Sequence, residues 1–108
     1  MAHTYKNSKV DLSSTSDTVI YTVPAATTSI VKSILVSNDD TSNACLITVT
    51  LLNTSNTVFS LFKEKNITAK TTEELLTHPM VMTTDEELKV QAQNAADLHV
   101  VCSYLEVT

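Results

Sequence analysis

The chain contains no glycine, no tryptophan and only two prolines. Most β proteins place glycine where a turn needs φ > 0, so Asn, Asp, Ser and Ala must serve in its place. A phosphate-cradling glycine loop is excluded, as is the calcium loop with its central glycine. All basic residues are lysine, and Lys+Arg 7 stands against Asp+Glu 12, a formal charge of −5. Nucleic-acid partners call for a basic stripe and often arginine forks, so none is expected. No run approaches the ~18 apolar residues of a membrane span, and no membrane partner is expected. The opening MAHTYKNSK has no apolar segment of the kind a secretion signal carries. Cys45 and Cys102 are too few for a disulfide scaffold. Each lies in an apolar strand pattern and reads as a buried free thiol; a bridge between them requires adjacent strands.

What is present is alternation. At 108 residues one domain is expected, with residues 1–17 as an N-terminal arm or first irregular strand and residues 18–108 as a single β-sandwich. Period-two patterns place strands at Thr18–Val23, Ser29–Ser37, Ala44–Leu52, Thr57–Lys63, Met80–Met82, Leu88–Gln93 and Leu98–Val107. Thr72–Thr77 reads as a short strand or one helical turn. The turn Asn38–Asn43 is rich in side chains that cap their own backbone, and Asn53–Asn56 reads as a tight hairpin turn. Strands at spacings of about 10 residues and weak helical periodicity predict an all-β fold. The form expected is an antiparallel β-sandwich of seven to nine short strands, with a jelly roll as one version of it.

Two strands are apolar on both faces. In Leu98–Val107, Leu98, Val100, Cys102 and Tyr104 share one face, and Val101, Leu105 and Val107 the other. In Ser29–Ser37, Ile30, Lys32, Ile34 and Val36 alternate with Val31, Ser33 and Leu35. A sandwich strand with one solvated face should be polar on that face. The second face of these strands therefore needs cover from a loop, the N-terminal arm or another subunit, and subunit contact through Val31, Leu35, Val101, Leu105 and Val107 is the reading preferred. Tyr5, Val10 and Leu12 are the isolated apolar anchors of the N-terminal segment and are expected to dock on a neighbour. On that reading, removing residues 1–12 leaves the sandwich folded.

Catalytic and cofactor chemistry is not expected. His3, His78 and His99 are scattered, without partners at zinc-ligand spacing. Asp85-Glu86-Glu87 and Asp39-Asp40 read as solvated acidic turns. Glu73-Glu74 and Glu86-Glu87 are adjacent in sequence, which puts each pair on opposite faces of a strand rather than together in a cleft. A carbohydrate site would call for exposed aromatics, and the chain has three tyrosines and no tryptophan. The expectation is a non-enzyme with no metal and no cofactor.

Several segments taken in order resemble a known group. They are Tyr5–Leu12 (YKNSKVDL), Ile20–Ala25 (IYTVPA), Ile30–Asn38 (IVKSILVSN), Val58–Lys63 (VFSLFK), Glu74–Leu76 and Leu98–Glu106 (LHVVCSYLE). Together they cover most of the chain and resemble small virion structural proteins of tailed phages that infect marine bacteria, the cyanophages and pelagiphages. The sequence departs from that pattern at Ala26, where relatives place glycine at or near the turn. The resemblance implies a virion component, assembled in the host cytoplasm and oligomeric, with a homotrimer favoured. Its implied partners are other virion proteins, the major capsid protein first. A capsid decoration or cement protein suits the small size; a neck, tail or fibre-attachment piece and a carbohydrate- or receptor-binding module are the alternatives.

Overall fold

The computed structural model describes residues 2–95 and 97–108; residue 1 of the expected N-terminal segment lies outside them. Nine strands follow one another: β1 (His3–Asp11), β2 (Thr18–Thr22), β3 (Thr28–Asn38), β4 (Cys45–Leu52), β5 (Val58–Ile67), β6 (Thr72–Glu74), β7 (Met80–Met82), β8 (Glu87–Ala92) and β9 (Leu98–Val107). All pair antiparallel, in two sheets. The first sheet runs β1-β9-β3-β6, with β7 also on β3; the second runs β2-β8-β4-β5. The chain changes sheet at nearly every connection, and only β4–β5 and β6–β7 stay within one. That strand order is a jelly roll, the double Greek-key sandwich.

The core is built by the inward positions that alternation predicts. Cys45, Ile47 and Val49 of β4, Leu88, Val90 and Ala92 of β8, and Leu98, Val100 and Cys102 of β9 are buried. Cys45 and Cys102 are free thiols in opposite sheets. Burial, with the Glu74 charge as a lesser cause, pushes the Cys102 thiol up to about 12, so it behaves as a small apolar side chain.

Turns without glycine are made in two ways. In the first, Asx side chains hold the backbone. Asn53 Oδ1 accepts from the N–H of Ser55 (3.0 Å) and of Thr57 (2.9 Å). Asp40 Oδ1 accepts from Ser42 (2.8 Å) and Asn43 (2.9 Å), which holds its carboxyl below the ordinary range. Asn38, buried at the end of β3, donates from Nδ2 to the carbonyls of Ile67 (2.9 Å) and Asn43 (3.1 Å). It thereby ties the first sheet to the end of β5 in the second.

In the second, non-glycine residues enter the left-handed region: Ala26 (φ 55°), Asn56 (62°), Glu64 (51°), Lys70 (60°) and Asp85 (69°). Asn and Asp are tolerated there; Ala, Glu and Lys carry the full Cβ penalty. Glu64 lies in a β-bulge, where Thr48 faces two residues of β5, and the Glu64 N–H donates to Thr48 Oγ1 at 3.1 Å.

Three expectations are corrected. Residues 3–11 pair with β9 over nine positions without a register shift, so they form a regular strand of the sandwich. Leu12 follows directly and is buried in the protein's own core, its N–H donating to Leu98 O at 3.0 Å; Val10 is half-buried against the same core. Leu12 is therefore not free to dock on a neighbour. Val31 is also a core residue, completely buried. The register of β3 on β9 shifts between Val31 and Ser33, so Lys32 is looped out. That bulge lets Val31, Ile34 and Val36 all face inward and turns Ile30 outward with Ser33 and Leu35.

Candidate interaction surface

Outward positions of the first sheet follow from its register. Tyr5 lies opposite Leu105, Leu105 opposite Ile30, and Ile30 opposite Val81. This is one apolar row across four strands, β1, β9, β3 and β7, and it sits outside the core. Tyr5 is 74% exposed and Val81 60%, at its two ends. Val107 flanks Leu105 two residues along β9, between His3 and Thr28. A second row holds Lys9, Val101, Leu35 and Glu74. Between the rows lie Asn7, Ser103 and Ser33.

Of the residues expected at an interface, Tyr5, Leu35, Val101, Leu105 and Val107 come together on this one face. Val10, Leu12 and Val31 do not. Ile30 and Val81 belong to the face and were not foreseen; the bulge at Lys32 hides Ile30 from simple alternation, and three-residue β7 is too short for a clear period. The outer face of the second sheet differs. Thr48, Thr50, Lys89 and Gln91 occupy it, Lys89 pairs with Asp17 at 2.9 Å, and Gln91 Nε2 donates to Thr15 O at 3.0 Å. Apolar exposure in that sheet includes Val58 and Phe59 near the β4–β5 turn.

Behind the apolar row, a polar cluster fixes the end of the sandwich. Glu106 is inward on β9 and buried. Its Oε2 accepts from the Tyr21 hydroxyl at 2.7 Å, and its Oε1 pairs with Lys6 Nζ at 2.9 Å. Tyr21 and Tyr104 stack with centroids 3.9 Å apart, and Tyr104 Oη shares a hydrogen bond with Ser8 Oγ at 2.8 Å. Burial alone would raise the Glu106 carboxyl; the Tyr21 and Lys6 hydrogen bonds and the Lys6 charge outweigh it and hold the group below its ordinary value. Burial, then the hydrogen bond to Glu106, pushes the Tyr21 phenol up. The hydrogen bond and charge of Glu106 raise Lys6. Sequence reading missed this cluster, although extending the inward series Leu98, Val100, Cys102, Tyr104 by one step reaches Glu106.

Among the described residues no group of three or more His, Cys, Asp or Glu side chains is placed to hold a metal. His99 Nε2 lies 3.4 Å from Asp11 Oδ1, on a surface hollow of about 330 Å³ that Lys9 and Val101 also line. A second hollow, about 270 Å³, is lined by Tyr5, Lys6, Asn7, Lys32, Ser103 and Tyr104.

No protein-family model and no curated protein matches the sequence. Among solved structures, the chain is similar to a chain in the structure of infectious bursal disease virus Gt strain, with 11% identity and a TM-score of 0.46. The similarity covers 98% of this chain and 30% of that one, so this chain spans under a third of its neighbour's length.

Proposed function

We propose that the chain is a non-enzymatic structural component of a phage virion, a decoration or cement protein that clamps neighbouring capsid subunits. The observation that carries this reading is the apolar row Tyr5–Leu105–Ile30–Val81 with Val101, Leu35 and Val107 beside it. None of these residues belongs to the core cluster, so the face lies outside the core that the two sheets enclose. Exposed apolar surface of this kind marks a contact, and its burial yields ~25 cal/mol per Å² before association costs. Many copies on a repeated lattice add avidity to a modest single contact. The resemblance to small phage virion proteins supplies the setting and the capsid protein as first partner.

The test is co-sedimentation with purified capsids of the phage whose genome encodes the chain. Wild-type protein is expected to pellet with capsids. Leu105→Asp and Val101→Asp, each on the outer face, are expected to stay folded and remain in the supernatant. Retention of both variants on particles would refute the assignment of this face. A second reading rests on Tyr5, whose exposed ring beside Asn7 and Ser103 is a candidate sugar-stacking platform. Binding to a glycan array that Tyr5→Ala abolishes would favour it.

A further inference from the structure

A β-sandwich has sheet edges, and natural proteins guard them with bulges, short strands or inward-pointing charges. Three of the four edges here are guarded. The β5 edge has register shifts around Val49 and carries Lys65 opposite core residue Ile47. The β2 edge is bulged between Val19 and Tyr21. The edge formed by β6 and β7 consists of two strands of three residues. The β1 edge is neither bulged nor short, with nine residues in unbroken register on β9 and no proline, and the charge of its one inward lysine, Lys6, is neutralised by Glu106.

The open side of β1 can be read from its ladder. Ala2 and Thr108 exchange both backbone bonds (3.1 and 2.9 Å), and Leu12 N–H donates to Leu98 O at 3.0 Å. Hydrogen-bonded pairs alternate in an antiparallel ladder, so even-numbered residues bond to β9. The N–H and C=O groups of His3, Tyr5, Asn7 and Lys9 point outward. Among the described residues no other strand meets them.

We infer that two copies of this chain pair along β1, antiparallel about a two-fold axis at Asn7, and join their first sheets into one continuous sheet. The register is self-complementary. With Asn7 opposite Asn7 of the second copy, Tyr5 falls opposite Lys9 and His3 opposite Asp11. The lysine ammonium then meets an aromatic ring and the histidine meets a carboxylate. The three central pairs join outward-bonding residues and exchange about six backbone bonds; the Asp11 carbonyl is already taken by the Ser13 N–H at 2.8 Å. Lys6 does not block the pairing, because its ammonium is held by Glu106 beneath the sheet and not left unpaired at the edge. The apolar row of one copy then continues across the axis into the Lys9–Val101–Leu35 row of the other, which doubles the face available to a partner.

This inference does not depend on the virion reading, because it concerns the purified chain without particles. It also differs from a three-fold assembly, since a strand pairs antiparallel with itself only about a two-fold axis. The experiment is light scattering over a dilution series of the full chain, with two variants. Wild type is expected at twice 11.8 kDa at the top of the series. Asn7→Pro removes an outward N–H that β9 does not use, as edge strands tolerate, and is expected to weaken the dimer at least about thirty-fold, the loss of two backbone bonds. Asn7→Cys is expected to cross-link to the dimer mass under mild oxidation, since hydrogen-bonded pairs lie ~5.5 Å apart at Cα. Ser14→Cys, away from the axis, is the control. A wild-type monomer throughout, a mass of three copies, an Asn7→Cys variant that cross-links no faster than Ser14→Cys, or a folded Asn7→Pro variant that dimerises unchanged would each overturn the proposal. If Asn7→Pro fails to fold, the cross-link decides.

Discussion

Replacing Ala26 with glycine should make this protein more stable, against the usual effect of adding glycine. Ala26 lies in the turn after Pro24, exposed, with φ at 55°. A residue with Cβ pays roughly 1–2 kcal/mol to hold that conformation. Glycine pays no such penalty, but its freer unfolded chain costs about 0.4–1 kcal/mol. The difference is a net gain of roughly 0.5–1 kcal/mol, or a rise in Tm of about 2–8 °C for a domain of this size. The assay is urea unfolding at neutral pH, read by far-UV circular dichroism, with Ala25→Gly as the paired control. Ala25 is exposed in the same turn but has no positive φ, so glycine there should lower stability by about 0.4–1 kcal/mol. The two variants should move the midpoint in opposite directions. An Ala26→Gly midpoint at or below that of Ala25→Gly would refute the reasoning.

Further expectations concern the packing. Asn38→Ala strips the Ile67 and Asn43 carbonyls of their Nδ2 donor and the Asp40 N–H of Asn38 Oδ1, which accepts it at 2.9 Å, and should lower the unfolding free energy from urea titration by about 2–3 kcal/mol. Deleting residues 2–12 removes the partner of β9 and the Leu12 plug, and should abolish cooperative unfolding in a calorimetric scan. The Tyr21–Glu106–Lys6 cluster shapes the pH profile. Glu106, held low, contributes stability that is present above its ordinary value of 4.5 and is lost as pH falls through its depressed value. Tyr21 and Lys6, both raised, contribute below their ordinary values of 10.0 and 10.5 and lose that contribution as pH climbs further. Urea midpoints measured from pH 2 to 11 should fall at both ends, and Tyr21→Phe should flatten the alkaline fall; an unchanged alkaline limb in that variant would exclude the tyrosine.

Much of the strand pattern is legible without coordinates, because alternation is a property of one strand alone. Leu98, Val100, Cys102 and Tyr104 face inward as their period requires, and so do Ile47 with Val49 and Leu88 with Val90. The Asx turns at Asn38–Asn43 and Asn53–Asn56 are equally local, since Asp40 and Asn53 cap backbone groups two to four residues away. Val31 was misplaced because its face depends on a bulge at Lys32, and that bulge exists only in the pairing of β3 with β9, some 70 residues on in sequence. Leu12 was misplaced for a related reason. An apolar residue after a polar segment reads as an anchor, and whether it anchors to a neighbour or to its own core depends on where β1 lies.

An all-β chain with two strands apolar on both sides is legible from periodicity and composition, which carry that information residue by residue. Which apolar residues enter the core and which remain outside depends on how the strands pair. That pairing put Tyr5, Leu105, Ile30 and Val81 in one row by bringing β1, β9, β3 and β7 side by side, although they are far apart in the chain. It also left β1 at an edge while bulging or shortening the other edges. Those outcomes depend on register between distant strands, where a shift of one residue exchanges the two faces of a sheet.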